Sequence, residues 1–522
     1  MKSHLTTLLI LLFLPIVSFS QSASMENVLR YTLRGSGTIL HGDELQGYWT
    51  FFVKEKEDRK NYSYEVLFHD NNLKEVASFH VVKPKETRLL EIVSNDNAFM
   101  MTFYEKKTLE FEIYDRAGKL TGSKKITDIP KLELVRINQA MQSEELDNIT
   151  AYNLGTNGFV RNGYTKNEKT GYELTAYDNT MKELWSFGSD PNSKLLETSS
   201  VMSTSEKYVA LTVARKKNLF TKSADSFFIL LDAATGTKLL EMPMKDKTDG
   251  ELSLINLQVD EVKNEVLLLG EYYNPGDEVL KDQSQGIYAQ RIDMKGNELA
   301  LAKYTWTKDI AKLRKESMTD EQAAKDKGQR LLYIHKIIVT PTGDIYAVGE
   351  EYRKTLSAAG TTFAVLNGGA GRSGASTFQL TIENLVVIQI NSKLELVGYK
   401  LIEKKKNRVA LPPGFGYANA QMLAAYVKAT GGFDYQFTSI DKAKSNYTVV
   451  YSDLNKKADE GSDKADIMIG SITIKGGQTE AKRTPINSEA KYVTYQPAKP
   501  GYIMIVEYFR KEKKLELHLE KI

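Results

Sequence analysis

The chain of 522 residues contains no cysteine. Disulfide bonds, thiolate metal sites, cysteine nucleophiles and redox-active cysteine pairs are therefore excluded. A chain of roughly 500 residues buries enough apolar surface to fold without covalent cross-links. Histidine is also scarce, with six residues, and no pair of them has the spacing typical of zinc ligands. We therefore expect no metal site.

The sequence also lacks a strong excess of charge of either sign. Its formal net charge is +3, which gives no reason to expect nucleic acid or an anionic membrane as a partner. The G-x-S-x-G motif of serine hydrolases is missing. Residues 369–374 match G-x-G-x-x-G by letters, but a predicted strand follows them where a dinucleotide site needs a helix. We therefore expect no cofactor and no catalytic residues.

One long apolar run is present, at the N-terminus. Lys2 precedes an apolar stretch over residues 5–17, and the small residues Ser18 and Ser20 stand before Gln21. This layout predicts a signal peptide over residues 1–20, and an uncleaved N-terminal anchor is the alternative. The run is shorter than the about 20 residues that span a bilayer. We expect an exported protein, periplasmic, at the cell surface or secreted, with no membrane span after signal cleavage.

The rest of the chain repeats two patterns of strand and turn. In the first, an alternating strand, a tight turn and a more apolar strand follow one another; in the second, a strand ends in Asp or Asn before a short turn and another strand. Asp and Asn bond to the backbone that follows them and glycine accepts positive φ, so these turns are typical of hairpins. The clearest copies of the first pattern cover residues 89–104, 252–273, 332–352, 435–452 and 492–509.

Together the two patterns give four strands per unit of about 40 to 60 residues, which is typical of propeller blades. We predict an all-β fold, a β-propeller of seven or eight four-stranded blades, formed as a single domain by residues 21–522 of a monomer. The last unit stops after its third strand, and residues 28–33 are predicted to supply the outer strand that closes the ring. A pair of β-sandwiches or an open solenoid is the alternative architecture.

The long connections are predicted to lie at one rim. In a four-stranded blade, the connection from the second to the third strand and the connection to the next blade open on the same side. Insertions on one face of a repeat fold often mark a binding face, although loops also lengthen by drift. Helices are predicted at 310–327, with a capping box at Thr319–Gln322, and at 418–428, with Met422, Leu423 and Tyr426 on one side. The long connections are residues 127–148, 215–226, 274–286, 307–330, 353–377, 403–432 and 453–466.

Glu-Tyr pairs recur where second strands end at this rim. Carboxylates gathered there are candidates for ligand binding, or for the acid and base of glycan cleavage, which needs two carboxyl groups about 5 to 10 Å apart. The simpler interpretation is that the repeat itself places the tyrosines between blades and the glutamates in solvent. The candidate binding residues are Glu271, Tyr272, Glu351, Tyr352, Glu507 and Tyr508.

The leader ending in Ser-Phe-Ser-Gln and the repeated strand–Asp-x-x-Gly–strand pattern resemble exported β-propeller-like proteins of Gram-negative bacteria that have no characterised function. The resemblance covers most of the mature chain and provides no catalytic motif. We predict a non-catalytic binding or scaffold protein of the cell envelope that engages a protein, peptide or glycan. A propeller glycoside hydrolase using Glu271, Glu351 and Glu507, or a purely structural envelope component, is the alternative.

Overall fold

The fold is a ring of eight antiparallel sheets, seen in a computed structural model. Each sheet has four consecutively paired strands, and a fifth strand is added to one of them, so the predicted propeller is confirmed with eight blades. The predicted leader, residues 1–20, lies outside the described residues, and the assignment of residues 21–522 to a single domain stays a prediction. The structure describes residues 21–32, 35–41, 44–142, 149–165, 170–218, 224–279, 281–326, 330–356, 378–411, 418, 420–441, 445–453, 467–486, 488–490 and 492–522.

We number the sheets one to eight in chain order. The first four follow the predicted order of strand, tight turn and strand. Sheet one consists of β2 (Ser36–His41), β3 (Glu44–Glu55), β4 (Asn61–Asp70) and β5 (Glu75–Pro84). Sheet two consists of β6 (Arg88–Ser94), β7 (Ala98–Glu105), β8 (Thr108–Asp115) and β9 (Leu120–Ile126). Sheet three consists of β10 (Ala151–Asn153), β11 (Phe159–Thr165), β12 (Gly171–Tyr177) and β13 (Glu183–Gly188), and sheet four of β14 (Leu196–Thr204), β15 (Tyr208–Lys216), β16 (Asp225–Asp232) and β17 (Lys238–Pro243).

The other four sheets include the one with an added strand and the one that closes the ring. Sheet five consists of β18 (Leu252–Asp260), β19 (Glu265–Tyr272), β20 (Gly286–Asp293) and β21 (Glu298–Thr305). Sheet six consists of β22 (Leu331–Val339), β23 (Ile345–Leu356), β24 (Phe378–Ile390) and β25 (Leu396–Ile402), with the added strand β26 (Asn407–Ala410) paired to β24. Sheet seven consists of β27 (Tyr435–Asp441), β28 (Asn446–Ser452), β29 (Ile467–Lys475) and β30 (Gln478–Ile486), and sheet eight of β31 (Tyr492–Pro497), β32 (Tyr502–Phe509), β33 (Lys514–Lys521) and β1 (Ser22–Met25).

Burial explains why the second strand of each unit is the more apolar one. The first six residues of β7, Ala98 to Phe103, are all buried, because neighbouring sheets cover both faces of a strand in the middle of a blade. The outer strand β9 of the same sheet has no buried residue. Apolar runs therefore mark the inside of a blade, and alternating or polar runs mark its margins.

The N-terminal strand β1 closes the ring by pairing with β33, in a register that joins Ser22 to His518 and Met25 to Leu515. The prediction that residues 28–33 form this strand is wrong. The backbone N–H of Val28 donates to the carbonyl of Lys513, 2.7 Å away, and Arg30 forms an isolated bridge with Val53 in sheet one. The apolar character of this segment comes from burial where the chain passes from sheet eight to sheet one, not from an edge strand.

Connection length differs sharply between the two ends of the ring. Turns from first to second and from third to fourth strands contain no more than five residues, and we call their end the tight-turn end. The connections at the opposite, loop-rich end include residues 127–150, 306–330 and 403–434. The predicted one-sided distribution is confirmed. This end carries α1 (Lys131–Gln142), a π-helical turn (Trp306–Ile310), α2 (Ala311–Glu316), α3 (Asp320–Lys325) and α4 (Ala420–Ala429).

The two predicted helical insertions are confirmed, with one correction. Thr319 and Gln322 form the predicted capping box at the start of α3. In α4 the buried face consists of Leu423, Ala424 and Val427, whereas Met422 is exposed. Met422 was placed on the wrong face because a helix of ten residues fits more than one apolar stripe.

Helix α1 was not predicted, because it is anchored by a charge as well as by apolar residues. Glu133 is fully buried, and Arg161 of sheet three donates to its carboxylate over 2.6 Å. Ile137 is also fully buried. A buried ion pair with a residue in another sheet leaves no periodic signal in the sequence.

Ring closure should depend on Met25, which is buried between sheet eight and sheet one, with the hydroxyl of Thr50 3.6 Å from its sulfur. Met25→Ala is expected to lower the free energy of unfolding by about 2–5 kcal/mol, because the removed side chain leaves a cavity at the closure. Urea denaturation measures this loss. Met25→Leu conserves volume and should cost less than about 1.5 kcal/mol; equal stability of the alanine variant and the wild type would contradict closure by β1.

Candidate functional site

All six predicted site residues lie on second strands at the loop-rich end, but on three different sheets. Glu271 and Tyr272 belong to β19 of sheet five, and Glu351 and Tyr352 to β23 of sheet six. The third pair, on β32, belongs to sheet eight. Sheets five and six are neighbours, whereas sheet seven separates sheet six from sheet eight. The ring therefore brings the first two pairs to adjacent blades and leaves the third apart.

Two of the three glutamates face protein and not solvent, contrary to the simpler expectation. Glu351 is 1% exposed and accepts hydrogen bonds from Asn384 Nδ2 at 3.0 Å, from the Tyr399 hydroxyl at 2.9 Å and from Arg314. Glu507 is 7% exposed and accepts one from the Ser488 hydroxyl. Glycoside hydrolysis requires carboxyl groups that reach a bound sugar, and these contacts direct both carboxylates to protein groups.

The tyrosines of the three pairs are buried in the blade cores. The Lys303 ammonium lies 4.8 Å from the ring centre of Tyr272. Tyr352 stands edge-on to Phe433, with 6.2 Å between ring centres. The Tyr508 hydroxyl lies 3.4 Å from the carbonyl oxygen of Val28. Each tyrosine thus has a packing role.

Sheet six continues beyond the ring at the loop-rich end as a three-stranded extension. Tyr352–Leu356 of β23 pairs with 378–382 of β24, and β26 pairs with 379–382 on the other side. Leu380 and Ile382 pack against Leu423 and Val427 of α4 on one face. The opposite face carries polar residues, including Arg353, Thr381 and Glu383. We call this opposite side the polar face of the extension.

Glu383 is a buried carboxylate, 1% exposed, on this polar face. Arg353 Nε and Lys406 Nζ each lie 3.0 Å from its carboxylate, and Arg330 pairs with it as well. Asp326 binds Arg314 at 2.6 Å and Arg330 at 3.2 Å. This network ties the connection that contains α2 and α3 to sheet six.

A second buried group, the Glu350 cluster, joins sheet six to sheet seven. The Glu350 carboxylate is fully buried and accepts hydrogen bonds from the backbone N–H groups of Asp434 and Tyr435, at 3.0 and 2.9 Å. Lys404 Nζ lies 3.1 Å from Glu350 and also pairs with the Asp434 carboxylate. His335 Nε2 lies 3.1 Å from Glu350 but approaches obliquely, outside good hydrogen-bond geometry.

Burial and charge oppose each other in the Glu350 cluster. Burial alone would raise the pKa of Glu350, but Lys404, His335 and the Tyr435 N–H together hold that pKa at about 2. Burial raises the pKa of Asp434 to about 6 despite the neighbouring Lys404. Burial also lowers the pKa of His335. At pH 7 the cluster therefore holds two carboxylates, one ammonium and a neutral imidazole.

His335 is a core residue. Its ring stacks on Tyr435, with 4.8 Å between centres and 8° between planes, and stands edge-on to Phe433 at 4.8 Å. The side chain is fully buried, and Nδ1 has no hydrogen-bond partner among the described residues. The position lies at a bulge of β22, where the register with β23 shifts between Ile334 and Lys336. Bulges re-aim side chains, and this one directs the imidazole inward.

No group of three or more His, Asp or Glu side chains within the described part of the chain is arranged to hold a metal ion. Residues 369–374, with the G-x-G-x-x-G letters, lie outside the described residues. A cavity of about 540 Å³ opens at the tight-turn end between sheets five and six, lined by residues such as Glu261, Arg291 and Pro341. None of the six predicted site residues lines it.

The Glu350 cluster and the Glu383 network were missed by sequence reasoning. The available signal was a carboxylate inside an apolar strand: Glu350 follows five largely apolar residues in β23, and Glu383 lies within β24. Glu350 and Glu351 lie in the run of β23 that neighbouring sheets cover on both faces, so both are buried. A register shift between Glu350 and Tyr352 accompanies this burial.

The sheet topology defines the class of this molecule as an eight-bladed β-propeller. The chain belongs to a family of unknown function (DUF6770), which matches residues 1–522. A search of curated proteins found no match.

Solved structures to which the chain is similar include two dehydrogenases and a protease domain. A europium-containing methanol dehydrogenase is 9% identical, with 97% of this chain and 94% of that chain covered and a TM-score of 0.43. A quinohemoprotein alcohol dehydrogenase from Pseudomonas putida HK5 is 10% identical, with 96% and 76% covered and a TM-score of 0.41. The β-propeller domain of the trilobed protease from Pyrococcus furiosus is 10% identical, with 71% and 96% covered and a TM-score of 0.31. Likeness at this level carries no argument about activity.

Removing the ammonium of the Glu350 cluster should destabilise the fold strongly. Lys404→Met leaves the Glu350 and Asp434 carboxylates buried together without their cation, so we expect a loss of about 3–5 kcal/mol in the free energy of unfolding. Chemical denaturation measures it. The double variant Lys404→Met/Asp434→Asn removes one of the stranded charges and should recover part of the loss; equal stabilities of the two variants would contradict the coupling.

The Asp434 carboxyl should make stability depend on pH. Its pKa is raised to about 6 in the folded protein from an ordinary 3.8, so the folded state binds a proton between these values where the unfolded state does not. Its contribution is fully present below the unfolded pKa and is lost as pH rises through 6. The stability of the wild type relative to Asp434→Asn should therefore rise from pH 7 to pH 4, by a few kcal/mol at most, since one pKa unit is about 1.4 kcal/mol. Denaturation midpoints at several pH values test this, and a flat difference would contradict it.

Proposed function

We propose that this protein is a non-catalytic binding or scaffold protein of the cell envelope, which engages a protein, peptide or glycan through its loop-rich end. The observation that carries the proposal is the one-sided placement of the long connections and all four described α-helices, against turns of at most five residues at the other end. Insertions on one face of a repeat fold often form its binding face.

The contacts that hold the insertions in place indicate that the insertions were selected to form a defined surface and did not lengthen by drift. Loops that lengthen without function need no buried contacts. Here Arg314, after the π-helical turn, is partly buried against Glu351 and Asp326, and Glu133 of α1 is fully buried against Arg161. Burying charges carries a large desolvation penalty. Rigid elements held in this way present a preorganised surface, which favours binding.

The loop-rich end also exposes apolar side chains. Leu132 and Val135 on α1 are 38% and 42% exposed, Met422 on α4 is 45% exposed, and Leu356 at the end of β23 is 67% exposed. Exposed apolar residues are common singly on any surface. Their use here is as positions for test substitutions, because a substitution at one of them changes the surface of the loop-rich end and leaves the buried ion pairs in place.

Placement in the envelope rests on the predicted signal peptide. Residues 1–20 have the charge, apolar run and small-residue ending of an export signal. No described helix combines the length and the apolar character needed to cross a membrane.

The test compares substitutions at the two ends of the ring. Val135→Lys/Met422→Lys alters the loop-rich end, and Val262→Lys alters a tight turn where the side chain is 92% exposed. Tagged proteins are incubated with envelope extract and with peptide and glycan arrays, and captured ligands are identified by mass spectrometry. We expect the loop-rich variant to lose at least about tenfold in capture of its ligand, because charges are introduced into the contact surface, and the tight-turn variant to behave as wild type.

Equal capture by all three proteins, or loss only in Val262→Lys, would overturn the proposal. Deletion of residues 307–330 is a poorer test, because it removes Arg314 and Arg330 and leaves Glu351 and Glu383 buried without these cations. Matching melting temperatures of the three proteins show that the fold is unchanged.

A further inference from the structure

The polar face of the extension on sheet six carries a row of cations. Register places Arg353 of β23 opposite Thr381 of β24, and Thr381 opposite Arg408 of β26. The two arginines therefore stand on the same face about two strand spacings apart, roughly 9.5 Å. Lys406, two residues before Arg408, reaches the same face, because its ammonium lies 3.0 Å from Glu383.

These cations outnumber the acids that hold them. Arg314, Arg330, Arg353 and Lys406 pair with the carboxylates of Asp326, Glu351 and Glu383. Arg408 is the fifth cation, opposite Thr381 in the register of β26. The side chains of Arg353 and Lys406 are 34% and 55% exposed although both contact Glu383. Arg408 is exposed and has no ion-pair partner among the described residues. Among these described side chains the five cations exceed the three carboxylates by two, so this part of the face attracts anions.

The same cations border a strand edge. Within the described residues β26 pairs with β24 alone, so its other edge presents backbone N–H and C=O groups without a partner strand. Lys406 and Arg408 are two residues apart, about 6.6–6.8 Å along an extended chain, which is also the spacing of alternate side chains in any strand laid beside them. Opposite charges placed across two adjacent strands attract.

We propose that the edge of β26 binds an extended acidic peptide segment, added as a further strand, whose alternate carboxylates face Lys406 and Arg408. The inference rests on the proposed function, because β26 lies at the loop-rich end, and it names the partner class of that end. Backbone hydrogen bonds along the edge supply affinity that does not depend on sequence, and the two cations select acidic side chains at alternate positions.

A peptide fits this surface better than an acidic polysaccharide. The polar face offers Arg353, Thr355, Gln379 and Thr381 but no aromatic ring among its described strand residues on which a sugar would stack. The plain alternative is that Lys406 and Arg408 only guard an edge strand against self-association, as lysines on edges often do. In that case the edge of β26 has no ligand, and an acidic peptide does not bind to it.

Three synthetic ten-residue peptides separate these explanations by fluorescence anisotropy. The first alternates threonine and glutamate; the second is the same peptide N-methylated at every residue, which keeps the charge and removes the strand donors; the third alternates threonine and lysine. We expect the first to bind, the second to bind at least about fivefold more weakly because it lacks backbone donors, and the third not to bind. Amide exchange of Asn407–Ala410 should slow with the first peptide alone.

Matched variants assign the site. Arg408→Glu should weaken the threonine–glutamate peptide at least about tenfold, because like charges then face each other, and Lys406→Gln should weaken it less. Lys295→Glu, at a tight turn of sheet five, is the control and should bind as wild type. Arg408 has no described ion-pair partner, so its variant should keep the melting temperature of the wild type.

Equal binding of the first two peptides, no binding of the first, or tighter binding of polygalacturonate than of any peptide would overturn the proposal. So would unchanged affinity in Arg408→Glu. If the acidic peptide fails while Val135→Lys/Met422→Lys still loses its captured ligand, the assignment to β26 is wrong and the loop-rich end remains the binding end. If neither variant changes any binding, the proposed function fails as well.

Discussion

Ring closure by β1 is the constraint on which the other sheets depend. Each blade covers the inner faces of its two neighbours, so the chain of eight sheets has exposed ends unless the first and last are joined. Ser22–Met25 complete sheet eight with residues far apart in sequence from its other three strands. Gln496 of sheet eight adds a second tie, donating to the carbonyl and hydroxyl oxygens of Ser36 in sheet one over 2.9 and 2.6 Å. The pairing of β1 covers the edge of β33, which could otherwise pair with another chain.

Once the ring is closed, the loop-rich end can hold long insertions at fixed positions. The blades present buried carboxylates there, and the insertions supply the cations and N–H groups that satisfy them. Glu91 of sheet two shows the same device, since it accepts hydrogen bonds from the N–H groups of Thr150 and Ala151 at 3.0 and 3.2 Å. Glu350 does so for Asp434 and Tyr435. A carboxylate in one sheet thus fixes the start of the next.

This arrangement relates stability to binding. The residues that hold the insertions are buried and paired, so they provide rigidity and not contact surface. The residues available to the proposed ligand are the exposed ones between them, such as Arg408 and the apolar side chains of α1 and α4. A surface of this kind accepts changes in its exposed residues, because the buried charges beneath it keep the backbone in place. Under the proposed function, such variation would alter ligand choice without altering the ring.

Local signals in the sequence were enough for the blades. The four-strand unit, the hairpin turns, the capping box at Thr319 and the one-sided connections all depend on residues within a few positions of one another, and all were predicted correctly. The strand that closes the ring, helix α1 and the burial of Glu350 were not. Glu350 lies 84 residues from Asp434, and a carboxylate is buried only where distant groups supply its hydrogen bonds and counter-charge. Sequence periodicity reports which face of a strand is apolar, whereas only the tertiary structure decides which charges meet inside.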